Sequence, residues 1–341
     1  MLNLLQKLCA ANAPSGFEGG VRDIIIGEIG EHCEWRVDRS GNLIAFKRGK
    51  RAPKNRVMFA AHMDEVGFMI SYIEQDGTLR FSTLGGIDDK ALVGRRVEVG
   101  DGRISGVIGS KPIHLIDRAD REKAMPADKM YIDIGCGSRE EAQKLTHLGD
   151  YAAFESGYMA FGADDMLVKA KAIDDRVGCA VLCELLKGEL EYDLYAAFTV
   201  CEEIGMRGAF SAAYAVKPDI AVVFEGTTAA DLADVPSHKQ VCRLGEGVAL
   251  SFMDKATLYD PALLELARAE ASKRGIKTQY KAYVSGGNDA GAIQRSAGGA
   301  RMMAVNVPVR YLHTASCVAH RADCEAMEKI AGMLAGMLGG V

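Results

Sequence analysis

Residues 57–67 read Val-Met-Phe-Ala-Ala-His-Met-Asp-Glu-Val-Gly. The apolar run predicts a buried strand over 56–61. That strand hands over to His62 and Asp64, which share one face if the chain stays extended. A strand ending in metal-competent side chains suits an open α/β sheet, where ligands bind past the carboxyl ends of the strands. From Gly67 the texture changes. Short β-prone segments at 68–73, 79–82, 95–99 and 106–108 alternate with glycines, and this pattern persists to about residue 169. It predicts an inserted β-rich domain. The interval 117–130 inside it is charged and reads as a mobile loop.

On the N-terminal side, residues 1–11 predict an amphipathic helix, Pro14-Ser15-Gly16 a turn, 21–29 a second helix, and 35–38 and 43–46 strands. Beyond the insert, helices alternate with strands: helix 175–186, strand 194–200, helix 208–216, strands 220–224 and 248–252, helix 261–274, strand 278–283, a helix from 288, strand 301–306 and a closing helix from 323. The expected fold is therefore α/β, a mixed sheet covered by helices. It is built from residues 1–66 and 170–341, with residues 67–169 inserted. Two domains also suit the length, 341 residues, which exceeds what one core usually organises.

Composition narrows the function. Hydrophobic residues make up 48% and charged residues 26%, which is globular rather than disordered composition. The net charge is −5, from 41 basic and 46 acidic residues, with no basic stripe to neutralise a phosphate backbone, so nucleic acid is not an expected partner. Nine cysteines at irregular spacing include no CxxC pair, which fits a reduced compartment better than a disulfide framework. Cys179 and Cys183 stand four apart in an expected helix, where burial is the usual fate of cysteine. The first eleven residues lack the basic and apolar regions of a signal peptide. The longest apolar stretch, about a dozen residues near the C-terminus, is well short of the ~20 needed to cross a bilayer. A soluble, cytoplasmic protein with no membrane partner is expected.

Polar residues suited to metal binding recur where the other buried strands end. His62 can ligate while Asp64 orients its ring, as carboxylates do for metal-bound imidazoles; taken alone, His-x-Asp is a weak signal. Asp174 and Asp175 open the next helix. Asp175 can cap it, which leaves Asp174 free to bridge two cations. Strand 194–200 runs into Cys201-Glu202-Glu203-Ile204-Gly205, where one glutamate can be a ligand and the other the general base. Strand 220–224 delivers Glu225, and the segment before the last helix supplies His313. Two histidines and three carboxylates, one of them shared, give each of two metals one nitrogen and two carboxylates, with room for a bridging hydroxide. That donor set suits Zn²⁺ or Co²⁺ better than Mg²⁺ alone.

These motifs, in this order, resemble metallopeptidase family 42, the di-metal aminopeptidases that form tetrahedral dodecamers and are often labelled glucanases. The resemblance covers essentially the whole chain. It runs through Pro14-Ser15-Gly16, residues 61–67, Ile173 to Arg176, Glu202 to Gly205, Gly286 to Gly291 and Arg310 to Thr314. It implies a zinc-peptidase-like catalytic domain and a β-barrel-like insert that mediates dimerisation within a dodecamer. It further implies that His62 and Glu225 complete one metal site, that Glu203 and His313 complete the other, and that Asp174 bridges them. Asp64 would orient His62. Glu202 would take a proton from the bridging water and return it to the leaving amine of a short peptide.

One position departs from the family pattern: Glu225 stands where most relatives place aspartate. Carboxypeptidases and deacylases of the same clan use glutamate there, which keeps them as an alternative activity. A non-catalytic assembly subunit is a further alternative, although the retained ligand set argues against it. A glycosidase is disfavoured, because the neighbours Glu202 and Glu203 cannot easily bracket a sugar bond. Asp231, Asp234 and His238 lie near Glu225 in sequence, either assisting the site or as a solvated loop. Gly286 to Gly291 reads as a tight turn near the pocket, with Asp289 either part of the site's architecture or an N-cap.

Overall fold

The computed structural model describes residues 1–115 and 123–341. Helices α1 (Leu2–Ala10) and α2 (Gly19–Ile29) precede strands β1 (Glu34–Val37), β2 (Leu43–Lys47) and β3 (Val57–His62). Next come β4 (Gly67–Ile73), β5 (Leu79–Leu84), β6 (Arg96–Val99), β7 (Ile104–Gly109), β8 (Tyr131–Asp133), the short helix α3 (Arg139–Ala142) and β9 (Tyr151–Phe154). These six strands close a barrel in the order β4-β5-β8-β7-β6-β9. Closure leaves no exposed sheet edge. Phe68 fills its centre, with its ring 5.1 Å from those of both Phe81 and Phe154.

The chain then re-enters the larger sheet through β10 (Met159–Phe161) and β11 (Leu167–Ala170). Both pair with that sheet rather than with the barrel, although residues 159–169 read as part of the insert in the sequence. Helix α4 (Ile173–Lys187), β12 (Leu194–Thr199), α5 (Arg207–Val216), β13 (Ile220–Thr228), β14 (Val248–Leu250), α6 (Pro261–Lys273), β15 (Thr278–Tyr280), α7 (Asp289–Gln294), β16 (Arg301–Arg310), β17 (Cys317–His320) and α8 (Arg321–Ala335) follow. Part of the charged loop expected over 117–130 lies outside the described residues. Its far end carries a single 3-10 turn, Ala127–Lys129.

The large sheet has the order β1-β2-β12-β3-β13-β16-β17-β11-β10, with β14 and β15 branching from β16. It is mixed, as expected: β12, β3, β13 and β16 run parallel, and the flanking pairs are antiparallel. The parallel strands are apolar on both faces because both are covered. Phe59, Ala61, Val222 and Phe224 face the core shared with α1, α2, α4 and α8. Their neighbours Met58, Ala60, Ala221 and Val223 face the core under α5 and α7. Each buried phenylalanine contributes roughly 1.5–3 kcal/mol, so the strand ends that carry the polar residues are held in place by the centre of the sheet.

A buried ionic cluster ties α1 to this sheet. Arg176 is fully buried. Its Nε donates to Met63 O at 2.9 Å and its Nη1 to Leu8 O at 2.6 Å, which satisfies a carbonyl at the end of α1. Glu65 lies 3.5 Å from Nη2 and accepts from Lys171 Nζ at 2.8 Å and from Ala13 N at 2.9 Å. Arg176→Met removes the side-chain donor of Met63 O, leaves Leu8 O with Ala11 N alone, and takes one of the positive charges from Glu65. We expect a loss of about 3–5 kcal/mol, visible as a lowered Tm in thermal denaturation; an unchanged Tm contradicts this account of the cluster.

Candidate metal centre

His62 is the last residue of β3, and the chain beyond it folds back so that Asp64 becomes a hub. The Asp64 carboxylate accepts from Ser15 Oγ at 2.6 Å, Glu202 N at 3.0 Å and Glu203 N at 3.1 Å. His62 Nδ1 lies 3.1 Å from Asp64 O and 3.4 Å from Asp64 Oδ1. With the Nδ1 hydrogen engaged there, Nε2 is turned the other way. It lies 3.4 Å from Asp174 Oδ1 and 3.5 Å from Glu225 Oε2.

The two glutamates do not alternate as strand residues would. β12 ends at Thr199, and Cys201 turns the chain with φ 55°. By Glu202 the backbone has left the sheet, and Asp64 holds both amides. Both side chains therefore reach the same cavity. Glu18 supports the turn from the other side, accepting from Cys201 N at 3.0 Å and Gly16 N at 2.8 Å.

Asp175 behaves as the expected cap, accepting from Gly178 N at 3.0 Å, and its other oxygen accepts from His62 N at 3.1 Å. The Asp174–Asp175 peptide is cis. Asp174 accepts from Gly226 N at 3.1 Å, next to Glu225. β13 runs on to Thr228, so Glu225 sits within a strand, opposite Asn306, rather than past its end. His313 stands on a turn where both it and Tyr311 have positive φ. Its Nδ1 is 2.7 Å from the carbonyl of Gly86, in the loop after barrel strand β5. Its Nε2 lies 3.3 Å from Glu203 Oε2 and 3.8 Å from Asp174 Oδ2. Two histidines from distant segments thus face the two oxygens of one aspartate.

Ligand-type atoms of His62, Asp174 and Glu225 lie within 4.8 Å of one another, and so do those of Asp174, Glu203 and His313. A third such group joins His62 to Glu202 and Glu203. Burial, reinforced by neighbouring carboxylates, pushes Glu202 and Glu203 well above the usual carboxylate range, Glu225 to about 8 and Asp289 to about 6. Burial alone would lower His62, but the Glu225 charge and hydrogen bonds to Asp174, Asp64 and Glu225 raise it well above its ordinary value. Glu225 Oε1 is buried without a hydrogen-bond partner. A cluster this rich in carboxylate and this poor in positive charge either takes up protons or binds cations. The donors present, imidazole with carboxylate, fit divalent metals.

Asp174, Glu202, Glu203, Glu225 and His313 line a cavity of about 510 Å³ that also includes Asp88, Thr228, Lys281 and Asn288. A larger cavity, about 1010 Å³, lies on the barrel beside Arg80 and Tyr131 and contains none of the residues above. Other sequence candidates fall elsewhere. Asp231 forms a bidentate pair with Arg310, both contacts at 2.7 Å, which braces the strand leading to His313. Asn288, not Asp289, caps α7 by accepting from Ala290 N, and Asp289 accepts from Thr199 Oγ1. Cys179 and Cys183 are buried, with the Cys179 thiol donating to His62 O. Ser15, Glu18 and Gly86 carry site contacts that no spacing pattern in the sequence singled out; the Pro14-Ser15-Gly16 turn was the only signal near them.

A sequence profile of the M42 glutamyl aminopeptidases matches residues 41–330. The chain is 31% identical to the lysyl aminopeptidase of Pyrococcus furiosus, over 97% of this chain and 95% of that protein. It is 32% identical to the glutamyl aminopeptidase of Lactococcus lactis, over 92% and 90%. The TET1 peptidase of Pyrococcus horikoshii, which assembles into a tetrahedron or a large octahedral shell, superposes with a TM-score of 0.87 at 34% identity, covering 99% of both chains. The chain belongs to the M42 family of glutamyl aminopeptidases and is a metallo-aminopeptidase, a hydrolase of peptide bonds.

Proposed function

We propose that the chain removes N-terminal residues from short peptides with two divalent cations, Zn²⁺ or Co²⁺. His62, Asp174 and Glu225 hold one cation, and Asp174, Glu203 and His313 hold the other. The observation that carries this reading is the split of Asp174, with Oδ1 toward His62 and Oδ2 toward His313. One carboxylate shared between two imidazole-bearing clusters is the arrangement that a pair of adjacent cations requires. Glu225 reaches its cluster from inside β13, so its longer side chain serves the place where the family pattern has aspartate.

When bound, such cations polarise the scissile carbonyl and bring the pKa of water toward neutrality. The rest of the reaction falls to the protein's own groups. Glu202 lies in the cavity, where its carboxylate takes the proton of the attacking water and returns it to the departing amine. Asp64 holds the Glu202 and Glu203 amides and the His62 ring, so base and ligands keep one geometry. By analogy with the tetrahedral relative, the subunits assemble as a homo-oligomer, a dodecamer, with the barrel as the dimerising domain. The exposed Val93, Val107, Leu145 and Leu148 of that region offer apolar contact surface. Among the described residues, no helix is long and apolar enough to cross a membrane; the free cysteines suit the reducing cytoplasm, where we place the activity.

Metal-reloaded protein should cleave aminoacyl amides with a free amine and leave the N-acetylated forms intact. Glu202→Gln should lower kcat by roughly 10²–10⁴-fold. Cleavage of the acetylated substrates would move the activity to a deacylase or carboxypeptidase, and an unaffected variant would remove Glu202 from the reaction.

Proton exchange gives a second check. Burial raises Glu225 to about 8 and the neighbouring carboxylates raise His62, so the cluster holds protons at pH 7, and a ligand must be deprotonated to bind metal. Metal binding should therefore release protons, and affinity should weaken as pH falls below 8. Calorimetric titration in buffers of different ionisation enthalpy measures this; a buffer-independent heat contradicts it.

A further inference from the structure

Two lysines of this chain are almost wholly buried, and their surroundings differ. Lys171, 2% exposed, is fully engaged, with Nζ 2.8 Å from Glu65 Oε1 and 2.6 Å from Asn12 Oδ1. Lys281, 7% exposed, makes no side-chain hydrogen bond or ion pair among the described residues. Buried lysine is rare unless paired, because an ammonium taken from water without a partner is costly. Lys171 follows that rule as a structural residue. Lys281 buries its stem instead, and its Nζ, which is not sealed from solvent, belongs to the wall of the 510 Å³ cavity, where a partner can arrive from outside.

Its backbone is fixed. Lys281 N donates to Leu250 O at 3.0 Å, and the next amide, Ala282 N, donates to Val241 O at 2.9 Å. The segment is pinned from two sides just after β15. Among the described residues lining the cavity, Lys281 is the only lysine or arginine, and the other charged groups there are carboxylates and His313. Thr227, Thr228 and Asn306 of the same lining are uncharged. With the ligand carboxylates engaged by cations, the cavity keeps a single unpaired ammonium for the substrate to meet.

We propose that Lys281 is a specificity-determining residue that pairs with a carboxylate of the bound peptide, so that the site selects acidic substrates. The proposal rests on the aminopeptidase reading and sharpens it. Family membership does not fix the choice, since the relatives above include both a lysyl and a glutamyl enzyme. Two sources can supply the carboxylate, the side chain of an N-terminal Glu or Asp, or the C-terminus of a very short peptide. A buried charge-assisted hydrogen bond is made with the charged substrate and lost with its neutral isostere. Glu and Gln substrates, which differ in little else, therefore give the cleanest contrast.

The test compares metal-loaded wild type with Lys281→Met, Lys281→Arg and Lys281→Glu. Readouts are kcat/KM on Glu, Gln and Lys p-nitroanilides, and on the dipeptide Gln-Ala against its C-terminal amide. Wild type should prefer Glu over Gln by roughly 10- to 100-fold, mainly through KM. Lys281→Met should bring that ratio near one, Lys281→Arg should keep part of it, and Lys281→Glu should turn preference toward the Lys substrate. If the discrimination instead lies between Gln-Ala and its amide and vanishes in Lys281→Met, the carboxylate recognised is the peptide C-terminus. Equal rates on both pairs in wild type, or ratios untouched by Lys281→Met, overturn the proposal and leave aminopeptidase activity standing. If no free-amine substrate is cleaved, the aminopeptidase reading fails. Calorimetric binding of L-glutamate against L-glutamine to the same proteins then decides Lys281 on its own: tighter glutamate binding lost in Lys281→Met supports the proposal, and equal binding overturns it.

Discussion

Everything at the centre of this molecule depends on one buried carboxylate, that of Asp64. It accepts from the Ser15 hydroxyl and from the amides of Glu202 and Glu203, and it lies against the His62 ring. Three segments far apart in sequence are thus fastened at a single point, where β3 and β12 end side by side. Burial would raise its pKa, but the contacts with His62, Ser15 and Glu202 outweigh it and hold the group below its ordinary value. It is therefore an anion whose bonding capacity is spent on positioning, leaving the carboxylates around it free for cations.

The barrel is part of the same construction. Its loop after β5 places the Gly86 carbonyl against His313 Nδ1. A side chain at Gly85, whose φ is +86°, would meet Val66 and Glu203. The close approach of backbone to the site at that point requires glycine. The domain proposed to join subunits also fixes the ring of one candidate ligand.

Much of the architecture was legible in the sequence, because the parallel strands are continuous apolar runs and the helices between them are periodic. The mixed sheet with an inserted β domain follows from that texture. Short strands such as β8, β10 and β17, three or four residues each, carry too little pattern to stand out from loop. Glu225 was placed beyond its strand because the polar Thr227 and Thr228 resemble a loop, whereas pairing with β16 extends the strand through them. The candidate ligands were legible as a set of metal-competent side chains at successive strand ends, and the fold brings them together. Their supports were not: Ser15, Glu18 and Gly86 act through an ordinary hydroxyl, a carboxylate and a main-chain oxygen, which only the folded chain brings into place. Asp289 and Asn288 show the same limit, since either side chain can cap a helix and the geometry chose Asn288.

The central claim is that Asp174 is shared between two cations. The direct measurement is anomalous diffraction from crystals of the chain loaded with Zn²⁺ or Co²⁺. The account predicts two peaks per chain, one on the His62 and Glu225 side of Asp174 and one on the His313 and Glu203 side. A single peak, or two peaks that do not flank Asp174, would contradict it.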